Sequence, residues 1–284
     1  RKMENNFRLD NKGNGQIFSI KEHICTKNSI YQKISILDLH LLGRVLVLDD
    51  IIQLSELDCD VYHESFAHIP MLYSKDSKKV LILGGGDGIL AKELLKYKNL
   101  SIDLVDIDGE VCEISKKYLY DLNNGALLDD RVKVHNKDAF DFCNTADEKT
   151  YDVIFGDITD PHPNSPSASL LSDQAVDAYK RVLTDDGVIA FQTDNVQVAP
   201  DHIADTEAKL NRHFKNINCF SIVAITLGGL FSFVCATNGK NDRKKLQVPT
   251  KWLNEKKVKI SLSLNNYSKQ KDVWWKILFT MEGT

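Results

Sequence analysis

The sequence predicts an α/β fold in which a doubly wound parallel sheet follows a small N-terminal antiparallel β domain. Three observations lead to this prediction. Short apolar bursts separated by turn residues fill residues 16–55, a pattern typical of β-hairpins. Five apolar strands then alternate with helical segments, as in parallel sheets that are covered by helices on both faces. The first of these strands runs into a glycine-rich turn, the place where such folds bind ligands.

The N-terminal region is predicted to form antiparallel strands joined by tight turns. Apolar residues come in short bursts in the stretches IFSIKEHICT, YQKISILDLH, RVLVLDD and IIQLSE. Turn residues separate these stretches at Asn28-Ser29, Gly43 and Asp49-Asp50. Hairpins of this kind leave exposed strand edges that need a cover. We therefore expect a homodimer that is formed through residues of about 7 to 55.

The central region is predicted to form the parallel sheet, after a first helix in DCDVYHESFAHIPMLY. Strands are predicted in KKVLILGGG, SIDLVDID, RVKVHNKDA, YDVIFGDITD and GVIAFQTDN, and helices in ILAKELLKYK, GEVCEISKKYL and AVDAYKRVL. The stretch CFSIVAITLGGLFSFVCAT is predicted to close the sheet with an antiparallel pair. The Lys- and Asn-rich tail, which ends in KDVWWKILF, is predicted to be a surface extension with one docking helix. The predicted domains are 1–57, 58–239 and 240–284.

Composition and charge limit the classes of function. The net charge of the 284 residues is −4, so no positive field attracts nucleic acid, whereas a small polycation is tolerated. The six cysteines are scattered without a C-x-x-C pair, which predicts reduced thiols in a cytoplasmic protein. No apolar run reaches the ~18 residues of a membrane span, and the polar N-terminus lacks a signal-peptide core. We expect a cytoplasmic protein that binds neither nucleic acid nor membranes.

Four predicted strands or their following turns carry an aspartate. Asp87 lies in the glycine turn GGGDG, and Asp106, Asp138 and Asp157 follow later strands. A single aspartate of this kind is more often a helix N-cap or a turn residue. Four of them in one parallel sheet predict an acidic rim at its ligand-binding edge. A carboxylate in a glycine turn repels phosphate, and the G-x-G-x-x-G spacing is missing, so a nucleoside–sulfonium ligand is favoured over a dinucleotide.

Several motifs resemble, in their order and spacing, those of the polyamine aminopropyltransferases, the spermidine and spermine synthase family. They are LDDIIQLSE, YHE, GGGDG and GDITDP, and the resemblance runs from about residue 7 to residue 237. It implies a Rossmann-like domain of the methyltransferase type and a role in polyamine, including spermidine, biosynthesis. In this family an aminopropyl group moves from decarboxylated S-adenosylmethionine to an amine, and methylthioadenosine is released. The donor is then a co-substrate, and we expect neither a tightly bound cofactor nor a metal.

The resemblance also implies which residues hold the donor. Asp87 would pair with the ammonium of its aminopropyl arm, which explains an acid in a glycine turn. Asp106 would accept the ribose hydroxyls, and Asp138 would contact the adenine amino group. Gln32 and Gln53 would contact the nucleoside and the propylamine arm. The remaining donor contacts are expected from His63, Gly84, Gly85, Ile107 and Ala139.

Catalysis requires a neutral amine nucleophile, because an alkylammonium with a pKa of about 10 cannot attack. Asp157 aligns with the family's catalytic aspartate and would accept the proton and orient the amine. Tyr62 and His63 would assist beside the nucleophile. Asp160 would bind a cationic nitrogen of the acceptor, with Gln192 beside it. The polar segment HPNSPSAS that follows corresponds to the flexible gate over the family's active site.

Two departures from the family pattern concern the acceptor amine. Gly13 stands where spermidine synthases usually have a tryptophan, and Thr226 stands where they have a tyrosine beside the diamine. Losing two aromatic walls removes cation–π contacts of about 0.5–2 kcal/mol each. We therefore expect spermidine, or another triamine-length amine, to compete with putrescine at a site that includes Thr226. An aromatic residue from elsewhere, such as Phe7 or Phe231, would restore one wall.

Two other functions are compatible with the same motifs. One is an S-adenosylmethionine-dependent methyltransferase that acts on an amine. The other is a catalytically idle homologue that binds a nucleoside or a partner. Asp87 argues against the first, because it stands where S-adenosylmethionine places its carboxylate. The intact Asp157 and Asp160 argue against the second.

Overall fold

The computed structural model describes residues 6–11, 14–158, 170–196 and 199–264 of the chain. Its N-terminal part is a five-stranded antiparallel meander in which each strand pairs with the next. The strands are β1 (Asn6–Asn11), β2 (Asn14–Asn28), β3 (Lys33–Leu39), β4 (Gly43–Leu48) and β5 (Ile51–Ser55). This confirms the predicted antiparallel β region.

The turn between β4 and β5 shows why these residues form a hairpin. Asp49 and Asp50 have φ values of 46° and 65°, and two-residue hairpin turns favour positive φ at both central positions. Gly43, with φ of 68°, begins β4 after the preceding turn. The three predicted turn sites therefore lie between or at the ends of strands, as expected.

The second sheet has seven strands in the order β11-β12-β10-β9-β6-β7-β8. They are β6 (Lys79–Gly84), β7 (Ser101–Asp106), β8 (Val132–Asn136), β9 (Tyr151–Asp157), β10 (Leu183–Asn195), β11 (Asn216–Ala224) and β12 (Gly229–Thr237). Strands β6 to β10 are parallel, and β12 lies antiparallel between β10 and β11. The five predicted parallel strands and the antiparallel closing pair are confirmed. The chain leaves β6 toward β7 on one side and later returns to β9 on the other, which creates a topological switch point.

Helices cover the second sheet. They are α1 (Cys59–Met71), α2 (Ile89–Leu94), α3 (Gly109–Tyr118), α4 (Tyr120–Asn123), α5 (Ala139–Thr145), α6 (Asp173–Val182), α7 (Pro200–Asn211) and α8 (Glu255–Ser263). Helices α1, α2, α3 and α6 lie where they were expected. The patterns did not predict α5, which has only seven residues, or α7, which buries few apolar side chains. In the described ranges no helix combines the length and the apolar character needed to cross a bilayer.

The sheet is buried on both faces, which explains its almost continuous apolar strands. Val80 and Ile82 of β6 belong to one core cluster, and Leu81 and Leu83 belong to another. All four side chains are 0% exposed. The extension after β12 also packs on the domain, because Val258 of α8 is fully buried in the first cluster. A docking helix in the extension was expected, while the stretch KDVWWKILF lies outside the described residues.

Helices α1 and α2 pack through a stripe of charged side chains, here called the charged ladder. Its members are Asp60, Glu64 and His68 of α1 and Lys92, Glu93 and Lys96 of α2. The α1 members recur at every fourth position and therefore share one face of that helix. The Glu93 carboxylate accepts hydrogen bonds from His68 Nε2 at 3.0 Å and from Lys96 Nζ at 2.5 Å. Lys92 Nζ lies 3.4 Å from Asp60 Oδ1, so acids and cations alternate across the interface.

We expect the free energy of unfolding to fall at acid pH, because Glu93 then takes up a proton. Burial raises the pKa of Glu93, but the hydrogen bonds from His68 and Lys96 outweigh it and lower the pKa to about 2. Its contribution to stability is complete above the unfolded-state pKa of about 4.3. It is lost as the pH falls from there toward 2, and it amounts to about 2 kcal/mol between pH 6 and pH 3.

Urea unfolding at pH 6 and pH 3 checks this expectation, with Glu93→Gln as the matched control. The variant has no carboxylate to titrate at this position. Its loss of stability between the two pH values is therefore expected to be about 2 kcal/mol smaller than that of the parent. Equal losses in both proteins would contradict the assignment.

Candidate active site

The glycine turn after β6 lies directly against the end of β9. Gly84 has φ of +84°, and a Cβ atom added to it would lie 2.1 Å from the carbonyl oxygen of Asp157. The Gly85 N–H donates to the same carbonyl oxygen at 3.1 Å. Only glycine permits both the left-handed backbone and this close approach. The turn therefore brings Asp87 next to Asp157 at the switch point of the sheet.

Three polar side chains converge at this point, here called the acid–histidine cluster: His63, Asp87 and Asp157. One ligand atom of each lies within 4.8 Å of the others, and His63 Nε2 is 3.9 Å from Asp87 Oδ1. His63 Nδ1 donates to the Cys59 carbonyl oxygen at 2.8 Å. Burial lowers the pKa of His63, so its ring is neutral and Nε2 presents a lone pair. All three groups of the cluster are hydrogen-bond acceptors.

Asp157 is the least satisfied member of the cluster. Its Oδ1 accepts a long hydrogen bond from the Tyr62 hydroxyl at 3.4 Å. Its Oδ2 is buried and has no hydrogen-bond partner among the described residues. Burial and then the negative charge of Asp87 raise the pKa of Asp157 well above its usual range. A buried acceptor without a partner is costly, so this oxygen is suited to receive a proton or an N–H group from a ligand.

Asp106 sits at the end of β7, next to the glycine turn. Its Oδ2 accepts from Gly86 N and its Oδ1 from Asp108 N, both at 2.9 Å. Burial raises the pKa of Asp106 to about 6. These two bonds hold the carboxylate toward the turn and leave lone pairs for further donors. Ile107 follows it and is partly exposed.

Asp138 forms the structural contact that single strand-end aspartates usually make. Its Oδ1 caps α5 by accepting from Phe140 N at 2.8 Å and from Asp141 N at 3.0 Å. Ala139, the first residue of α5, is buried. The adenine contact expected from Asp138 and Ala139 stays a prediction, and the second carboxylate oxygen is the atom left for it.

The two glutamines expected at the donor come from the N-terminal sheet and its turns. Gln32 Nε2 donates to Asp108 Oδ2 at 3.0 Å, and Ser29 Oγ donates to the same oxygen at 2.7 Å. Gln53 Nε2 donates to the Ile51 carbonyl oxygen at 3.2 Å. Asp108 was not predicted as a partner, because nothing in the sequence pairs it with a turn so far away in the chain. It ties the N-terminal sheet to the loop that carries Asp106.

Tyr62 is held in place by aromatic neighbours. Its ring centroid lies 5.9 Å from Phe66, 5.6 Å from Phe231 and 5.1 Å from Phe233. The rings fix the position of the Tyr62 hydroxyl that contacts Asp157. Phe231, one of the two aromatic residues considered for the missing wall, therefore stands beside Tyr62.

Thr226 belongs to a buried network with Asp58. Its hydroxyl donates to Asp58 Oδ1 at 2.6 Å, and its N–H donates to Asp58 Oδ2 at 2.9 Å. Ser55 Oγ donates to the same carboxylate at 3.0 Å. Thr226 is only 1% exposed, although it borders a small cavity with Gln53, Tyr62 and His63. The predicted acceptor contact of Thr226 stays a prediction, and the network with Asp58 and Ser55 was missed because its partners are distant in sequence.

Of the remaining residues that were predicted to contact the acceptor amine, the structure describes only some. The Gln192 amide donates to the Ile158 carbonyl oxygen, directly after the strand that ends in Asp157. Asp160, Gly13 and the gate segment 162–169 lie outside the described residues. The structure thus brings together Tyr62, His63, Asp87 and Asp157 and places Gln192 near the last of them.

A larger cavity of about 410 Å³ lies at the opposite, amino ends of the parallel strands. Its central carboxylate, Asp103, is already bonded to His135 Nε2 at 2.8 Å, Tyr151 at 2.9 Å and Lys79 at 3.1 Å. Its charge is therefore compensated within the protein. At the switch point, by contrast, the buried Asp157 Oδ2 has no hydrogen-bond partner among the described residues, and we assign the candidate active site there.

Comparison with known proteins agrees with this fold. Residues 59–245 match the spermine/spermidine synthase domain, and residues 6–56 match the spermidine synthase tetramerisation domain. The chain belongs to the spermine/spermidine synthase family. The resemblance that was drawn from the sequence motifs is confirmed.

Individual relatives cover most of the chain. A polyamine aminopropyltransferase from Serratia proteamaculans is 33% identical over 225 residues, 78% of this chain and 77% of the relative. One from Erwinia tasmaniensis is 33% identical over 228 residues, 80% and 79% of the two chains. A crystal structure of spermidine synthase with the transition state analogue AdoDATO has a TM-score of 0.89 at 27% identity, covering 95% of both chains. Thermotoga maritima spermidine synthase has a TM-score of 0.86 at 27% identity, with coverage of 95% and 94%. The predicted fold class is confirmed.

Substituting Thr226 separates its structural contacts from a role at the amine. Thr226→Val removes the hydroxyl and leaves one fewer donor for the buried Asp58 carboxylate, so we expect the free energy of unfolding to fall by about 1–3 kcal/mol. The KM for the amine is expected to stay within twofold. Urea unfolding and steady-state kinetics measure the two effects. Parental stability combined with a tenfold change in that KM would show that the hydroxyl serves the amine instead.

Proposed function

We propose that the protein is a polyamine aminopropyltransferase. It moves the aminopropyl group of decarboxylated S-adenosylmethionine to a polyamine acceptor and releases methylthioadenosine. The acid–histidine cluster is the observation that carries the proposal, because it offers a cationic ligand three converging acceptors and a carboxylate oxygen that has no partner among the described residues. The family match and a spermidine synthase neighbour that binds the analogue AdoDATO support the same reaction.

In this proposal the donor lies across the carboxyl ends of β6, β7 and β8. Asp87 pairs with the ammonium of the aminopropyl arm, and His63 Nε2 accepts a second N–H of the same group. Asp106 accepts hydrogen bonds from the ribose hydroxyls. The further donor contacts are those of Gln32, Gln53, Gly84, Gly85, Ile107, Asp138 and Ala139. No phosphate is present in the donor, which agrees with a carboxylate in the glycine turn.

Asp157 acts as the general base for the acceptor amine. The amine nitrogen attacks the carbon next to the sulfonium, a C–N bond forms, and the C–S bond breaks to leave a neutral thioether. The proton of the nitrogen passes to Asp157 Oδ2. A raised pKa makes this carboxylate a stronger base than an exposed aspartate. The Tyr62 hydroxyl on Oδ1 fixes its orientation, and Asp160 and Gln192 hold the remainder of the acceptor.

The acceptor is a polyamine, and a triamine-length amine such as spermidine competes with putrescine. This finer proposal rests on Gly13 and Thr226, neither of which supplies an aromatic wall. Phe231 counts against it, because its ring lies 5.6 Å from that of Tyr62 and would restore one aromatic wall.

The protein assembles with copies of itself through its N-terminal sheet, and we propose a homodimer as the basic unit. The match of residues 6–56 to a tetramerisation domain supports this, as do the exposed Ile17 and Leu41 side chains, which are 68% and 67% accessible.

The free cysteines support a reducing, cytoplasmic location. The two sheets and the two family matches support domain boundaries near 57 and 239, with 240–284 as an extension. We also propose that no cofactor is tightly bound.

Product analysis tests the reaction. The protein is incubated with either decarboxylated or ordinary S-adenosylmethionine and putrescine, cadaverine, agmatine or spermidine, and the products are identified by mass. We expect an aminopropylated amine and methylthioadenosine from the decarboxylated donor only. Asp157→Asn is expected to lower turnover by about 10²-fold or more, the usual scale for a positioned base. Methylated amines from ordinary S-adenosylmethionine, or equal turnover by the variant, would contradict the proposal.

A further inference from the structure

Glu64 is the point at which the C-terminal extension meets α1. Its side chain is fully buried. Oε1 accepts a hydrogen bond from Lys251 N at 2.6 Å, and Oε2 accepts from Trp252 N at 2.8 Å and from Leu253 N at 2.7 Å. Three consecutive backbone N–H groups thus converge on one carboxylate.

These donors come from outside the part of the chain that matches the family domain. That match ends at residue 245, whereas the donors are residues 251–253. Within the charged ladder, the Glu64 carboxylate lies 3.7 Å from Lys96 Nζ, but it also lies within 4.8 Å of the carboxylates of Asp60 and Glu93. A fully buried carboxylate needs charge pairing and hydrogen bonds to offset its desolvation. The extension therefore completes the environment of a residue that lies inside the family domain.

The segment that supplies the donors is itself firmly held. Leu253 is 2% exposed and lies in the core cluster that contains Phe66. Asn254 caps α8 by accepting from Lys257 N at 3.0 Å, and Lys257 Nζ donates back to the Trp252 carbonyl oxygen at 2.5 Å. The three N–H groups are consequently fixed relative to the sheet.

Glu64 directly follows the two site residues on α1. Successive side chains on a helix point about 100° apart, so Tyr62 and His63 face the active site while Glu64 faces the extension. A contact on the far side of the helix sets its rotation and its position along the axis. The 3.9 Å between His63 Nε2 and Asp87 Oδ1 depends on both. A displacement of about 1 Å at reacting groups can cost about 10²-fold in rate.

We propose that Glu64 is a positioning residue, and that the backbone of residues 251–253 holds α1 so that Tyr62 and His63 face the reacting atoms. The kinetic part of this inference rests on the proposed function. Through this contact the extension influences the active site, although the extension packs on the opposite side of α1.

The test variant is Glu64→Gln, which keeps the size of the side chain and replaces one acceptor oxygen with an NH₂ group that opposes a backbone N–H. We expect kcat to fall at least tenfold. Affinity for methylthioadenosine is expected to stay within twofold, because this ligand lacks the aminopropyl arm that His63 contacts. Both are measured on protein whose circular dichroism matches that of the parent. A general loss of structure would lower kcat and the affinity for methylthioadenosine together.

Glu255→Gln is the matched control. Glu255 lies in the same extension, accepts from Leu246 N at 2.5 Å and pairs with Arg243 Nη1 at 3.0 Å, but within the described part of the chain no hydrogen bond or ion pair joins it to α1. Its loss is expected to leave kcat within twofold. If Glu64→Gln does not fold, Glu64→Asp is measured in the same way. It keeps the charge, withdraws the carboxylate by one methylene, and is expected to show the same fall in kcat.

Amide hydrogen exchange gives a reading that does not depend on the reaction. Peptides from α1 are expected to exchange at least tenfold faster in Glu64→Gln than in Glu255→Gln. Unchanged exchange together with kcat within twofold of the parent would overturn the inference. If the parent makes no aminopropylated product, the proposed function fails, and the exchange comparison still decides whether the extension holds α1.

Discussion

The contact between the glycine turn and the end of β9 is the constraint on which the site depends. The register of the two strands pairs Gly84 with Asp157, and the Gly85 N–H bonds to the Asp157 carbonyl oxygen at 3.1 Å. As a result two partly buried carboxylates lie close together. The negative charge of Asp87 adds to burial in raising the pKa of Asp157, and a bound cation offsets such a like-charge interaction. The fold therefore builds a site whose electrostatic cost is relieved by a cationic ligand.

The charged ladder uses the same residue types with the opposite result. Its Glu93 is more deeply buried than the site carboxylates, but His68 and Lys96 hold its pKa at about 2. In the acid–histidine cluster burial lowers the pKa of His63, so its ring is neutral, and the bond from Nδ1 to the Cys59 carbonyl oxygen leaves Nε2 as the acceptor. The difference between a structural and a functional acid therefore lies in the presence of a compensating cation. Glu64 is a structural acid in this sense, since it accepts from three backbone N–H groups and lies near Lys96.

The features that were predictable from the sequence are those that follow from local pattern and strand polarity. The parallel strands and the glycine turn were identifiable because apolar runs and glycines have direct geometric consequences. Asp87, Asp106 and Asp157 were expected at one edge because the carboxyl ends of parallel strands share it. Asp138 shows the limit of that reasoning, because its Oδ1 caps α5 and the same pattern fits a cap and a ligand contact equally well.

The contacts that were not predictable join residues far apart in the chain. The partner of Thr226 is Asp58, and the partner of Gln32 is Asp108. The local sequence around these residues does not indicate either pairing. The donors to Glu64 are backbone N–H groups, which every residue except proline carries, so no sequence pattern can mark them. Asp60, Glu64 and His68 are spaced four residues apart in the sequence, but this spacing does not reveal which residues contact that face of the helix.

The central claim is that the acid–histidine cluster is completed by a cation. Calorimetric titration in buffers of different ionisation enthalpy, between pH 5 and 8, measures the protons released when a ligand binds. Methylthioadenosine and decarboxylated S-adenosylmethionine share the nucleoside, but only the second brings an ammonium, which lowers the raised pKa of Asp157. We expect decarboxylated S-adenosylmethionine, without an acceptor amine, to release more protons than methylthioadenosine. Equal proton release by the two ligands across this range would contradict the account.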